Sequence, residues 1–212
     1  MSLNPHPTAM NELTLSGMAD PVTLDPFIRL TWTPPAQTDP PRDGFRIWRS
    51  TDGVNFGATY QQLADPNATS FDDTTLAEGT HYWYRVRAYS TVSGNAHTTP
   101  KRDMITPLRP PNDLSLTQVH TAVYTLEWTD RSAGETRYDV FRSEGGVAGS
   151  TLVGQIPGAS GVGQVLQFSD SVPTPSFQWH YYVSAWNPAQ ASAPSNLVRT
   201  PPSPPKALTT AF

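Results

Sequence analysis

The chain has 212 residues, no cysteine and a formal net charge of -4 at pH 7. The lack of cysteine excludes a disulfide framework and thiol chemistry, and the negative charge gives no field that would attract nucleic acid. The 22 prolines and 14 glycines break helices, and no long stretch shows apolar side chains at helical spacing. No apolar run reaches the roughly 18 residues that a membrane span needs. The chain is therefore predicted to be all-β.

Short segments of the first half alternate apolar and polar side chains, as strands with one buried face do. In 28–32, Ile28, Leu30 and Trp32 are expected to face the core. The longest segment, 81–90, alternates in the same way from Tyr82 onward. In chain order, the predicted strands lie at 13–15, 28–32, 45–50, 60–63, 70–72, 81–90 and 97–105.

The same pattern restarts in the second half of the chain. Segments 124–128, 138–143, 168, 178–187 and 193–201 repeat 28–32, 45–50, 71, 81–90 and the last predicted strand. Between the repeats lies TPLRPP, residues 106–111, which is expected to be a stiff, extended linker because it is rich in proline. We predict a first domain at 4–107, a second at 108–201, and the start of a truncated further repeat or linker at 202–212.

Several repeated positions carry a family resemblance. Trp32 and Trp128 occupy the second strand of each repeat, and the third strand is aromatic and aliphatic at Phe45 and Ile47, then at Tyr138 and Val140. The run Leu76, Glu78, Thr80, Tyr82 enters the sixth strand. These marks resemble the fibronectin type III family, with glutamate where the family run has proline. That resemblance implies two consecutive seven-stranded immunoglobulin-like β-sandwiches.

The second repeat departs from the family pattern at the entry to its sixth strand. It has Pro173, Pro175, Phe177 and Trp179 at the corresponding positions. A tryptophan lacks the hydroxyl with which the family's tyrosine bonds to the backbone at this corner. The corner of the second repeat is therefore expected to differ from that of the first.

Candidate catalytic and metal-binding residues are few. The five histidines are scattered, and no two have a metal-ligand spacing. Asp72, Asp73 and Asp170 follow a short strand in each repeat, where paired carboxylates could do acid–base work or bind calcium. The favoured interpretation is that they are turn residues bonded to backbone amides. We predict no catalytic residue, no metal site and no cofactor.

Aromatic and arginine side chains line the predicted outward face of the third and sixth strands. Exposed rings can stack on sugars, and guanidinium planes can stack on rings. The alternative is that cross-strand pairs of this kind only stabilise the sheet. The candidate ligand surface comprises Arg46, Trp48, Trp83, Arg85 and Arg87 in the first repeat, and Phe141, Tyr182 and Trp186, with His180 beside them, in the second.

We predict non-catalytic modules that act as a spacer, a scaffold or a protein-interaction region of a larger bacterial protein. That protein is expected to be exported and to lie outside the cell or at its surface. The expected partners are its other domains. The alternative function is a carbohydrate-binding or adhesion module whose aromatic and arginine faces contact a polysaccharide or a partner protein. Fold resemblance alone does not separate these functions, because one sandwich fold serves many.

Overall fold

The computed structural model describes residues 10, 12–35, 41–92 and 94–202. The chain divides into two compact units on either side of the Pro107–Leu108 bond. Every regular element in the described ranges is a β-strand, and the strands pair antiparallel. Each unit contains two sheets that enclose one hydrophobic core, which confirms the predicted fold class.

The first unit has strands in two sheets. One sheet has the order β1-β2-β5, and the other has the order β4-β3-β6, with β7 and β8 both paired to β6. The strands are β1 Leu13–Ala19, β2 Pro26–Trp32, β3 Gly44–Ser50, β4 Gln61–Leu63, β5 Ser70–Asp73, β6 His81–Ser90, β7 Gly94–Thr98 and β8 Arg102–Ile105.

The two-residue alternation sets which side chains enter this core. Ile28, Leu30, Phe45, Ile47 and Tyr84 are fully buried, at 0% exposed, while their neighbours along each strand face outward. Burial of such side chains contributes about 25 cal/mol for each Å² of apolar surface removed from water. The strand faces therefore agree with the sequence prediction.

The predicted seventh strand, 97–105, is wrong as a single element. It consists of β7 and β8, separated by Thr99, Pro100 and Lys101. The Thr99 N–H donates to the Val86 carbonyl oxygen at 2.9 Å, and the Val86 N–H donates to Thr99 Oγ1 at 3.0 Å. Because Pro100 has no N–H to donate, the ladder is interrupted there and resumes in β8.

The second unit repeats this architecture with sheet orders β13-β10-β9 and β12-β11-β14-β15. Trp128 and Tyr138 lie at its centre, at 1% and 0% exposed. Its strands are β9 Asn112–His120, β10 Val123–Thr129, β11 Arg137–Ser143, β12 Thr151–Pro157, β13 Val165–Ser171, β14 His180–Trp186 and β15 Val198–Arg199.

The proline-rich segment 106–111 is held at both of its ends. Thr106 is fully buried in the first unit, where its N–H donates to the Thr80 carbonyl oxygen at 2.9 Å. Leu108 is 2% exposed and belongs to the core of the second unit. The segment is therefore anchored in both folded units, and its predicted stiffness stays a prediction. The domain limits 4–107 and 108–201 stay predictions, and 203–212 lies outside the described residues.

Candidate functional site

The structure brings the predicted arginines of the first unit together on the outward side of β3 and β6. Arg46 lies directly opposite Arg87, and Trp48 lies opposite Arg85. All four side chains are half-buried. We call these four residues the arginine face.

The guanidinium groups of the arginine face lie over aromatic rings. The guanidinium carbon of Arg87 is 5.3 Å from the ring centroid of Trp48, and that of Arg85 is 4.1 Å from the ring of Phe56. The Nε of Arg87 also donates to Thr98 Oγ1 at 3.0 Å. Such cation–π contacts contribute about 0.5–1 kcal/mol at exposed sites. Because the guanidinium groups cover part of the aromatic rings, the groups that a ligand could contact on this face are mainly guanidinium N–H groups.

A neutral residue on each side of the opposed pair Arg46 and Arg87 orients one of the two arginines. Gln62 lies beside Arg46 in β4, and its Oε1 accepts from the Arg46 Nε at 3.0 Å. The Arg46 guanidinium carbon is 4.5 Å from the ring of Tyr89, whose hydroxyl accepts from Gln62 Nε2 at 3.1 Å. On the other side, Thr98 holds Arg87. Gln62 and Thr98 thus each accept a hydrogen bond from one of the two opposed arginines.

Two of the three arginines of the arginine face lack an ion-pair partner in the part of the chain that the structure describes. Among the described residues, no carboxylate lies within ion-pair distance of Arg85 or Arg87. Like charges directly opposite each other on a sheet are destabilising, and Arg46 faces Arg87 in this way. This repulsion opposes the stabilisation that the cation–π contacts and the hydrogen bonds of these arginines provide.

Trp83, the fifth predicted residue of the first unit, is packed against its neighbours. Its indole stacks on the His81 ring with 3.8 Å between ring centroids. Gly53 has φ 70° and approaches the indole so closely that an added Cβ would lie 2.9 Å from ring atoms. This contact explains the glycine at the Asp52-Gly53 turn. Trp83 therefore packs the turn more than it offers a ring to solvent.

The corresponding face of the second unit is closed by its own side chains. Phe141 stacks on Tyr182 with centroids 4.9 Å apart and 12° between the ring planes. Tyr182 is 8% exposed, and its hydroxyl hydrogen-bonds to that of Ser150 at 2.7 Å. Trp186 is covered by Arg137, whose guanidinium carbon lies 4.9 Å from the ring. The three predicted residues are thus packed on neighbouring side chains.

This second face is also electrically balanced. Asp139 occupies the position that Arg46 has in the first unit, and it is 3% exposed. It accepts from the Nε of Arg137 at 2.8 Å and from the Nε2 of Gln155 at 3.0 Å. The hydrogen bond to Asp139 raises the pKa of Arg137. The two units therefore present faces of opposite character on the same fold.

Each unit buries an aspartate that sequence reasoning treated as a turn residue. In the first unit, Asp73 is fully buried and accepts from Arg49 Nη1 at 2.8 Å. The hydroxyls of Tyr60 and Tyr84 donate to the same carboxylate at 2.7 and 2.9 Å. Burial, followed by the charge of Asp73, raises the pKa of Tyr84, so this hydroxyl keeps its proton and acts as a donor.

The second unit has the same network. Asp170 accepts from Arg142 Nη1 at 2.5 Å and from the Tyr181 hydroxyl at 2.7 Å, and burial raises the pKa of Tyr181. The neighbouring carboxylate of the first unit, Asp72, accepts two bonds from Arg29 at 2.7 and 2.6 Å. Each candidate carboxylate is therefore committed to an arginine, which disfavours the calcium and acid–base interpretations.

Both units close the corner that precedes the long central strand. The Tyr82 hydroxyl accepts from the Ala77 N–H at 3.1 Å. In the second unit, the Trp179 indole N–H donates to the Thr174 carbonyl oxygen at 3.0 Å. Trp179 thus bonds to the backbone of a residue as far back in the sequence as Tyr82 does, but it donates the hydrogen bond where Tyr82 accepts it.

Two open depressions occupy equivalent places beside these corners. One, of about 380 Å³, is lined by residues that include Arg49, Phe56 and Tyr82. The other, of about 430 Å³, is lined by residues that include Arg142 and Trp179. Among the described residues, no group of three or more histidine, aspartate or glutamate side chains is placed to hold a metal ion. No helix in the same ranges is long and apolar enough to span a membrane.

The two antiparallel sandwiches define the class of the protein as a tandem of immunoglobulin-like modules. Residues 18–102 match the sequence model of the fibronectin type III domain. A two-domain fibronectin type III segment of chicken tenascin superposes with a TM-score of 0.56 at 16% identity, covering 90% of this chain and 99% of that segment. The first unit thus matches the fibronectin type III domain in sequence over residues 18–102, and both units have its fold.

Two further similarities were found. Exoglucanase B of Cellulomonas fimi is 29% identical over 198 residues, which cover 86% of this chain and 16% of the exoglucanase. The FN1-FN3 domains of chicken CNTN1 align over 94% of this chain and 69% of that protein chain, with a TM-score of 0.40 and 16% identity. This chain thus spans a small part of the length of the exoglucanase.

Proposed function

We propose that the chain is a non-catalytic pair of fibronectin type III modules that acts as a spacer, a scaffold or an interaction region of a larger exported bacterial protein. The observation that carries the proposal is the partial match to a bacterial exoglucanase, which involves only 16% of that protein. A pair of modules that recurs as a small part of a long enzyme fits a role in joining or presenting other domains.

The interior of each unit supports this role. The largest side chains fill the two cores, and a buried arginine–aspartate pair joins the sheets in each unit. Modules of this kind hold their shape without a ligand, as a spacer must. The partners expected on this proposal are the other domains of the parent protein, and the expected location is outside the cell or at its surface.

The proposal is tested on the full chain by calorimetry and by an assay for new reducing ends. We expect cooperative unfolding, and no release of reducing ends from soluble neutral glucans. Broad, non-cooperative unfolding would contradict a stable spacer, and release of reducing ends that scales with protein concentration would contradict a non-catalytic role.

A second candidate function is binding of a carbohydrate, and the arginine face favours it. Two arginines oppose each other on this face, and no carboxylate of the described residues lies within ion-pair distance of Arg87. Phe141, Tyr182 and Trp186 remain part of the proposed surface, but their mutual packing makes them the weaker part.

A further inference from the structure

We propose that the arginine face of the first unit binds a polysaccharide that carries carboxylate groups. This inference rests on the second candidate function above and names the class of ligand. It concerns Arg46, Arg85 and Arg87, with Trp48 between them on the sheet.

Charge is the first argument. Three guanidiniums lie on neighbouring positions of two paired strands, although the chain as a whole has a formal net charge of -4. Two of them, Arg85 and Arg87, have no carboxylate within ion-pair distance in the described part of the chain. Asp103, which lies opposite Trp83 in β8, pairs with His81 at 2.8 Å. An anionic ligand would supply the missing counter-charges.

The second unit provides an internal comparison. At the positions of Arg46 and Arg87 it has Asp139 and Ser184, which face each other across β11 and β14. There the Nε of Arg137 already donates to the carboxylate of Asp139 at 2.8 Å. Because the same fold can balance its own face, the unbalanced face of the first unit points to a partner.

Geometry favours carboxylates over neutral sugars. Neutral sugars bind aromatic residues through the open face of the ring. In the arginine face, the Trp48 ring is covered in part by Arg87, with the guanidinium carbon 5.3 Å away. Arg87 uses its Nε for Thr98, and its two terminal nitrogens have no hydrogen-bond partner among the described residues. A guanidinium with free N–H groups matches the two oxygens of a carboxylate.

The position of the face within the sheet favours a polysaccharide over a peptide. Extended peptides gain affinity by pairing their backbone with a free strand edge. Here β3 is paired to β4 and β6, and β6 is paired to β3, β7 and β8. Because β3 and β6 are interior strands of their sheet, a ligand on the arginine face contacts their side chains and not their backbone, as in recognition of a polyuronate.

The test is affinity electrophoresis of the full chain in gels that contain polygalacturonate, hydroxyethylcellulose or poly-glutamate. We expect strong retardation by polygalacturonate, weak retardation by poly-glutamate and none by hydroxyethylcellulose. Salt should weaken the retardation, because the Debye length falls from about 10 Å at 0.1 M to about 3 Å at 1 M. Loss of one charge-assisted contact should lower the affinity roughly tenfold.

The informative variants are Arg85→Gln and Arg87→Gln, with Arg137→Gln as the matched control. The control removes the same charge from the balanced face of the second unit, so it should keep wild-type retardation. Thermal unfolding of each variant verifies the fold, and either face variant is sufficient if the other unfolds. No retardation by polygalacturonate would overturn the proposal, as would equal losses in the control and the face variants.

The remaining outcomes separate this inference from the functions on which it rests. Equal retardation by poly-glutamate would show attraction by charge alone and overturn the polysaccharide class. Retardation by hydroxyethylcellulose alone would overturn the carboxylate preference while supporting glycan binding. The spacer function is decided by the unfolding and reducing-end measurements, whichever polymer is bound.

Discussion

Replacing Arg49 with methionine should destabilise the first unit far more than the same replacement at Arg29, although Arg29 makes the shorter ion pair. The Arg29–Asp72 pair measures 2.6 Å, but its side chains are 43% and 37% exposed. The Arg49–Asp73 pair measures 2.8 Å, with side chains 22% and 0% exposed. Water therefore screens the first pair and leaves the second in the interior.

The difference in burial sets the expected magnitudes. An exposed ion pair contributes about 0–1 kcal/mol. Removing one partner of a buried pair costs about 3–5 kcal/mol, because the other charge is left uncompensated. Arg49 is partly exposed, so the lower end, about 3 kcal/mol, is the appropriate value for Arg49→Met. For a domain of this size, that loss corresponds to a fall in melting temperature of roughly 12–24 °C.

Calorimetry of the full chain measures both variants on the same scale. Arg142→Met, which breaks the equivalent pair with Asp170, identifies the transition of the second unit. The double variant Arg49→Met/Asp73→Asn removes both charges and keeps an acceptor for the tyrosine hydroxyls, so it should recover most of the loss. Equal shifts for Arg29→Met and Arg49→Met would refute the argument that burial controls the contribution.

Three further outcomes can be checked by denaturation. Gly53→Ala should lower the free energy of unfolding, measured in urea, more than Gly57→Ala. Both glycines have positive φ, so an alanine at either position is strained by about 1–3 kcal/mol. Only the Cβ at position 53 would also meet an indole, at 2.9 Å. A fragment that begins at Leu108 should unfold cooperatively, whereas one that begins at Asn112 should be about 2–5 kcal/mol less stable because it lacks a core leucine. Backbone hydrogen bonds hold the pKa of Asp52 below its ordinary 3.8, so its stabilisation is present above that pH and is lost as the pH falls further. Asp52→Asn should therefore flatten the acid side of the melting-temperature profile, and an unchanged profile would contradict the assignment.

The fold was predictable because its determinants lie within single strands. The two-residue alternation of β6 directs Tyr84 and Val86 toward the core independently of which strand pairs with β6, and both residues are 0% exposed. The repeat of that pattern in β14 then implied a second sandwich. The break between β7 and β8 was missed, since it depends on a bond between Thr99 and Val86 as well as on Pro100.

The buried ion pairs were harder to predict, because each one joins two sheets. Arg49 and Asp73 are far apart in sequence, and neither strand alone indicates the contact. Comparison of the two repeats does contain a signal. Arginine, aspartate and tyrosine recur together at Arg142, Asp170 and Tyr181. Polar residues that persist at matching core-facing positions are expected to pair, since a lone buried charge is costly.

The candidate surface shows the opposite behaviour, because it differs between the two units. Both units keep the buried ion pair and the core tryptophan, because the sandwich loses stability without them. On the outward side of the same strands, Arg46 gives way to Asp139, and Arg87 gives way to Ser184. Whether a face is open or closed depends on residues of neighbouring strands, such as Gln155 in the second unit. Because the interior is the same in both units and the outward charges differ, we expect any difference in binding between the units to arise at the outward face, where binding can be measured separately from stability.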